Sequence, residues 1–424
     1  MKKEINKFLY FYRFLATVDI LNIPKLRFKD NNGNNYPQWE KKKLGDISDV
    51  RDGTHDSPKY INSGYPLITS KNIQNGKISF DNINYISKED YDNINKRSKV
   101  SVGDIIMGMI GTIGNVALLS EENFAIKNVA LFKEKTLLKN IFLIQYLQSD
   151  IFYKSISNLN EGGTQKFISL KNIRNLYINI PFIEEQEKIA NFLIIVDKKI
   201  ENLENTITSL ENQKKGLLQQ IFSQKLRFKD KNGNNYPNWK KKKLGDICKF
   251  TGGGTPSTSI LKYWNGTIPW ISSSDLQTNT IHKIKISRYI TNEAVSNSST
   301  KIIPKNSILI VSRVGVGKVA ISNCVLCTSQ DFTNITEING NTTFYAYLLK
   351  YKMEQLTQNT QGTSIKGITT SDIKNIKLIV PIEQTEQTKI ADFLSAFDRK
   401  LDNQKAQLEH WQQIKKGLLQ QMFV

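Results

Sequence analysis

Apolar residues recur at alternating steps of four and three through Ile189, Leu193, Val196, Ile200, Leu203, Ile207, Leu210, Leu217 and Ile221, with Lys214 the one charged residue in the series. That spacing predicts a long helix with a heptad seam. The pattern returns through Ile390, Leu394, Phe397, Leu401, Leu408, Trp411, Leu418 and Met422, interrupted by Gln404 and Lys415. No proline falls inside either run, and Pro181 and Pro381 stand just before them, where proline is tolerated. A helix with one apolar stripe must bury it. Two matching stripes in one chain predict that they bury each other as an intramolecular coiled coil. The alternative is two separate helices, each covering a domain. The polar seam positions Lys214 and Lys415 are of the kind that fixes register at some cost in stability. At ~1.5 Å per residue, the run from 189 to 221 spans ~50 Å.

Outside these runs the period changes. YPLITSKNI (65–73) and TIPWISSSDL (267–276) read as apolar strands that enter polar loops. Residues 99–119 and 301–321 read as strand–turn–strand, with glycines at the turns. Residues 142–156 and 343–356 have helical spacing, and NIRNLYINIP (172–181) and DIKNIKLIVP (372–381) read as strands leading into the long helices. The fold class is therefore α+β. Two globular domains of mixed sheet and helix are joined by two long antiparallel helices.

The chain is also a duplication. Residues 26–47 and 226–247 differ at only three of 22 positions, namely 31/231, 38/238 and 40/240. Residues 185–222 and 386–423 are identical at 18 of 38 positions at an offset of 201. Between these anchors lie two dissimilar stretches, 48–180 and 248–380. The organisation expected is a docking segment at 1–25, a first domain at 26–183 and a central helix at 184–225. A second domain at 226–382 and a C-terminal helix at 383–424 follow, related by a pseudo-two-fold.

Composition narrows the partners. The chain has 424 residues, 59 Lys+Arg against 39 Asp+Glu, and a net charge of +20. Residues 184–222 carry −2 and residues 383–423 carry zero, so the remainder holds +22. The positive excess sits on the domains, the pattern of a protein that lays basic faces on phosphates while its helices set a distance. An anionic membrane surface is the second possibility, although no apolar run approaches the ~18–20 residues of a membrane span. Lys2, Lys3 and Lys7 before the apolar stretch Phe8 to Ala16 resemble a signal peptide, but Arg13 interrupts the stretch, Asp19 follows it and no small-x-small cleavage site is evident. A docking helix is the preferred reading. Three cysteines make no disulfide framework, which points to a reducing cytoplasm.

Catalytic signatures are missing. RVGVGKV (313–319) lacks the first glycine of a phosphate-binding loop and has Val319 where the metal-binding Ser/Thr belongs. Gly252, Gly253 and Gly254 lack the GxGxxG order. CVLC (324–327) has no second Cys or Cys/His pair to complete a zinc site. His55, His282 and His410 are scattered. The residues argue for binding, with no metal and no cofactor of the chain's own. A nuclease or methyltransferase with an unfamiliar site is the remaining enzymatic alternative.

Taken together, YPxW…KKLGDI at the start of each half, GDII…GTIGNVAL and NSILIVSRVGVGKVAI, GGTQKFISL and QGTSIKGIT, and Pro followed by EQEKIANFL or EQTKIADFL and then KKGLLQQ resemble the specificity subunit of a type I restriction-modification system. The resemblance covers residues 26 to 424. It implies that each dissimilar stretch is a target recognition domain reading one half of a bipartite site on double-stranded DNA. It implies two modification (methyltransferase) subunits docked on the helices, and restriction subunits that add ATP-dependent translocation and cleavage. The chain itself would be catalytically inert. A free-standing DNA-binding protein without enzyme partners is the alternative. One departure stands out: the second half has SRVGVG with Arg313 where the first has GMIGTIG with Met109.

Base edges are read by Arg, Lys, Asn, Gln and Ser/Thr, and phosphates are gripped by Lys, Arg and backbone N–H. The expected DNA contacts are polar loop residues at corresponding points of the halves. In the first half they are Arg51, His55, Ser70, Lys71, Asn72, Gln165 and Lys166. In the second they are Thr255, Ser272, Ser273, Ser274, Arg313, Ser364 and Lys366. Trp39 and Trp239 are expected to be structural anchors rather than base-stacking platforms.

Overall fold

The computed structural model describes residues 24–157, 159, 167–358 and 367–424. The chain forms two compact units. The first combines the chain up to Leu203 with Gln407–Val424, and the second is Glu204–Ala406.

In the first unit the principal strands are β1 (Glu40–Lys43), β2 (Asp49–Asp52), β3 (Tyr65–Ile68), β4 (Asn84–Ile86), β5 (Ile105–Gly108), β6 (Val116–Leu118), β7 (Ala125–Ile126), β8 (Val129–Lys133) and β9 (Tyr177–Ile180). An antiparallel sheet has the order β2-β8-β5-β6, and a smaller one has the order β4-β3-β7 with β3 and β7 parallel. Side chains alternate across a strand. Ile105 and Met107 therefore face the helices, while Ile106 packs with Ile68 and Phe124 on the other side. Cover on both faces explains the unbroken apolar run of β5. β1 pairs with β9, from Glu40 opposite Ile180 to Lys43 opposite Tyr177, so the opening segment and the last strand close the domain together.

The second unit repeats this plan with β10 (Lys240–Lys243), β11 (Cys248–Gly252), β12 (Ile268–Ile271), β13 (Arg288–Ile290), β14 (Ile302–Ile303), β15 (Ile308–Val311), β16 (Val319–Ile321), β17 (Leu326–Thr328), β18 (Phe332–Ile338) and β19 (Lys377–Val380). The sheets are β11-β18-β15-β16, β13-β12-β17-β14 and β10-β19. The helical stretch expected at 343–356 is a single helix, Thr342–Gln358. Its counterpart is two helices, Asn140–Leu147 and Asp150–Ser157, because Ser149 caps the second by accepting from the Phe152 N–H at 3.3 Å.

The long helices run Ile183–Phe222 and Gln384–Met422 without a break. In the first unit Ile189, Leu193 and Val196 share a core with Leu418, Leu419, Met422 and Phe423. In the second, Leu218 and Ile221 share one with Ile390 and Leu394. Within each unit the two segments are therefore antiparallel and packed on a common apolar seam. Ile189, Leu193, Val196, Leu203, Ile207, Leu210, Ile221, Ile390, Leu394, Leu401, Leu418 and Met422 are buried. Ile200, Phe397, Leu408 and Trp411 are half-buried. One seam position is corrected: Leu217 is half-buried and its neighbour Leu218 is the core residue. At 3.6 residues per turn a heptad series drifts by ~20° per repeat. After four heptads Leu217 and Leu418 lie about 80° off the faces of Ile189 and Ile390, and Leu218 and Leu419 about 20° off, so the core moves to Leu218 in the first helix and takes both Leu418 and Leu419 in the second.

The seam lysines are ion-paired at matching places. Lys415 Nζ lies 2.5 Å from Asp197 in the first unit, and Lys214 pairs with the buried Asp398 in the second. Asp398 also accepts from the Tyr347 hydroxyl at 2.7 Å, and His282 Nε2 sits 3.0 Å from that hydroxyl. Burial pushes the Tyr347 hydroxyl pKa up and the His282 pKa down. Replacing a buried pair together by apolar residues of similar volume is commonly neutral or stabilising. Lys214→Met with Asp398→Leu is thus expected to unfold in urea at or above the parent midpoint. Lys214→Met alone, which strands the carboxylate, unfolds earlier. A double variant that unfolds below the parent midpoint would assign the pair a stabilising role.

Candidate nucleic-acid interface

The two opening tryptophans lie on the scaffold. Trp39 Nε1 donates to Glu185 at 3.3 Å and Trp239 Nε1 to Glu386 at 3.0 Å. Arg27 and Arg227 clamp the same buried carboxylates through two nitrogens each. Gln186 and Gln387 follow, accepting from the Lys139 and Asn341 N–H groups at 2.9 and 2.8 Å. The EQ pairs thus tie each opening segment and domain to the start of a long helix.

At the far end of the parallel strand pairs, loops converge identically in both domains. Lys127 N donates to Ile68 O and Ser329 N to Ile271 O, both at 2.9 Å. Thr54 N donates to Ile126 O at 3.0 Å and Gly254 N to Thr328 O at 2.8 Å. Glycine precedes each because the backbones nearly touch: a Cβ at Gly53 would lie 2.2 Å from Ile126 O, and one at Gly253 would lie 2.0 Å from Ser329 O. These matched bonds make His55 and Thr255 equivalent, and likewise Asn128 and Gln330.

After β3 and β12 comes a 3-10 turn, Ser70–Asn72 or Ser273–Asp275. Thr69 with Asn72, and Ser272 with Asp275, form reciprocal capping boxes. These turns hold Lys71 and Ser274 exposed at equivalent points. The glycine-rich hairpins come next. Gly108 N donates to Asn115 O and Val311 N to Lys318 O, both at 2.9 Å. Each hairpin leans on its turn, since Thr112 Oγ1 donates to Ser70 O at 2.9 Å and Lys318 Nζ donates to Ser273 O at 3.0 Å.

The register of the hairpins corrects one pairing. Ile168 N bonds Met109 O as Ile368 N bonds Ser312 O. Met109 is therefore opposite Ser312, and Ile110 stands opposite Arg313. The first domain still has no arginine there.

The remaining expected contacts divide by environment. Ser70, Asn72 and Ser273 are buried, with 5%, 8% and 9% exposure, and they build the turns. Ser70 Oγ donates to Asn128 O and Asn72 Nδ2 to Ser79 O. Polar residues in a tight turn satisfy its backbone first, and these three hold the frame that presents their exposed neighbours. Ser272 accepts from Arg288 at 2.7 Å. Arg51 is ion-paired with Asp49 at 2.6 Å and donates to Arg97 O, and it holds the Asp49 carboxyl below its ordinary range. Lys71, Ser274 and Arg313 are exposed, and neither Lys71 nor Arg313 ion-pairs with a described residue. His55 is exposed, with Nε2 2.9 Å from the buried Asp52 and Nδ1 2.7 Å from Asn128 Oδ1. Thr255 Oγ1 donates to Gln330 Oε1. Gln165, Lys166, Ser364 and Lys366 lie outside the described residues, as does the segment 1–23.

Asn128 and Gln330 escaped the sequence reading. The signal was present: each stands two residues after a short buried strand, AI at 125–126 and LCT at 326–328. Cys324 and Cys327 belong to the same region. Burial pushes the Cys327 thiol up to about 11, so it stays protonated and is a poor metal ligand. Among the described residues no group of three His, Cys, Asp or Glu could hold a metal ion, and no helix is long and apolar enough to cross a membrane.

The family model for the type I restriction modification DNA specificity domain matches residues 36–212 and again 236–410. The chain belongs to the type I restriction-modification DNA specificity family. Each copy of this specificity domain takes in one recognition domain and most of the helix after it. The putative type I restriction enzyme MjaX specificity subunit of Methanocaldococcus jannaschii is 25% identical over 415 residues, covering 92% of this chain and 94% of that protein. The MjaIX specificity subunit of the same organism is 36% identical over 208 residues, so that match spans about half the length of either chain. The crystal structure of a type I S subunit from M. genitalium has a TM-score of 0.60 at 18% identity, covers 95% of this chain and 99% of its own, and shares the fold.

Proposed function

We propose that the protein is the DNA sequence-specificity subunit of a type I restriction-modification complex. It binds a bipartite, asymmetric site on double-stranded DNA in the cytoplasm and positions two modification subunits and the restriction subunits. It performs no chemistry alone. The observation that carries this reading is the paired loop cluster: one backbone framework presents different side chains in its two copies. Lys71 faces outward where Ser274 does, and Arg313 stands where Ile110 does. Like frameworks with unlike side chains suit unlike half-sites, since base edges are told apart by donor and acceptor pattern. Lys71 and Arg313 serve phosphates or guanine, and Thr255 and Ser274 serve base edges or bridging water.

The test is reconstitution. The purified chain alone is expected to transfer no methyl group, and together with a modification subunit it directs adenine methylation to one bipartite sequence. Methyl transfer by the isolated chain would falsify the non-catalytic reading.

A further inference from the structure

We propose that the side-chain amides of Asn128 and Gln330 are the paired base-reading groups of the two domains, each presenting its NH2 as a hydrogen-bond donor. The inference rests on the DNA-specificity reading above and assigns within it the groups that discriminate. Both residues follow a strand whose residues are buried and whose exit is fixed by the same backbone bonds in each unit. In both, the amide oxygen faces the residue at the equivalent loop position: Asn128 Oδ1 lies 2.7 Å from His55 Nδ1, which donates to it when both ring nitrogens carry hydrogen and Asp52 accepts from Nε2, and Gln330 Oε1 accepts from Thr255 Oγ1. His55 is in turn held by Asp52 at 2.9 Å. Neither amide nitrogen has a partner among the described residues.

An amide pinned by its oxygen has one direction left in which to donate. Base reading requires that kind of fixed polar group, supported by neighbours that are themselves held. A flexible exposed lysine such as Lys71 suits a phosphate better. A donor of this kind pairs with the acceptors of the major-groove edge, namely O6 and N7 of guanine, N7 of adenine or O4 of thymine. The backbone of Asn128 also explains why asparagine fits there, since its φ of +54° is a left-handed conformation that asparagine tolerates.

The experiment uses the full chain assembled with its modification subunit on a library of DNA duplexes with randomised sequence. Methylation is read by sequencing. Asn128→Asp and Gln330→Glu keep shape and backbone tolerance while turning a donor into an acceptor. Asn128→Asp is expected to change the preference at one base pair of one half-site by at least about tenfold, toward the amino group of cytosine or adenine. The other half-site stays as in the parent. Gln330→Glu does the same in the opposite half-site. An unchanged consensus in both variants overturns the assignment. So does a uniform loss on every sequence, which marks phosphate contact or a damaged loop. If the parent complex itself shows no sequence preference, it is the DNA-specificity reading that fails.

Discussion

Glu185→Ala is expected to destabilise the first unit by about 3–5 kcal/mol, and Glu386→Ala the second by a similar amount. Each carboxylate is buried, and its oxygens accept from the Nε and Nη2 of a guanidinium and from an indole N–H. Removing it leaves a mostly buried arginine uncompensated, because the Arg27 side chain keeps only 17% of its exposure. Urea unfolding measures the cost, followed by fluorescence in variants that keep only Trp39 or only Trp239 of the five tryptophans, so that each unit is read separately. Glu185→Gln retains the acceptor oxygen and should lose less. A loss below about 1 kcal/mol for Glu185→Ala would mean that the cluster is loosely solvated and that the opening segment is held by packing alone.

The second large effect concerns spacing. Within each unit the facing helix residues obey one register, given by Asp197 with Lys415 and by Lys214 with Asp398. Lengthening one helix alone would slide that register. Seven residues inserted after Leu203 therefore need seven more after Leu408. Together they add about 10 Å to each helix, which corresponds to about three base pairs of DNA at 3.4 Å per step. The methylated site is expected to keep both half-site sequences while the gap between them lengthens, with methylation at the parent site lost. Mapping methylated adenines in cells that carry only the lengthened chain reads this directly. An unchanged gap with methylation retained rejects a spacing role for the helices.

Much of this architecture was legible in the residues. The seam is legible because a heptad repeat is a property of one helix surface, and the duplication because the opening segments differ so little. The strand–turn–strand stretches were visible because β5 and β15 are buried on both faces and so read as unbroken apolar runs. What was hidden depends on three dimensions. Leu218 replaces Leu217 because the helix keeps its own pitch over several repeats. The hairpin alignment slipped by one residue because glycines invite several registers, and only the Ile168–Met109 and Ile368–Ser312 bonds decide among them. The burial of Ser70, Asn72 and Ser273 was hidden because their polarity suits a turn from within as well as a surface contact. Asn128 and Gln330 were overlooked because their importance comes from partners about 75 positions away, at His55 and Thr255.

The last residues of the chain belong to the first unit. Gln421 O accepts from Leu26 N at 3.0 Å, Val424 O accepts from Asn179, and Phe423 stacks edge-on against Trp39. During translation, then, the core around Trp39, Phe142 and Ile189 waits, partly open, while the ribosome makes some 200 further residues. Long-range closure of this sort is slow and exposes apolar surface in the interval. A nascent chain stalled before residue 407 presents such a surface to chaperones, whereas the second unit has by then received every segment it requires.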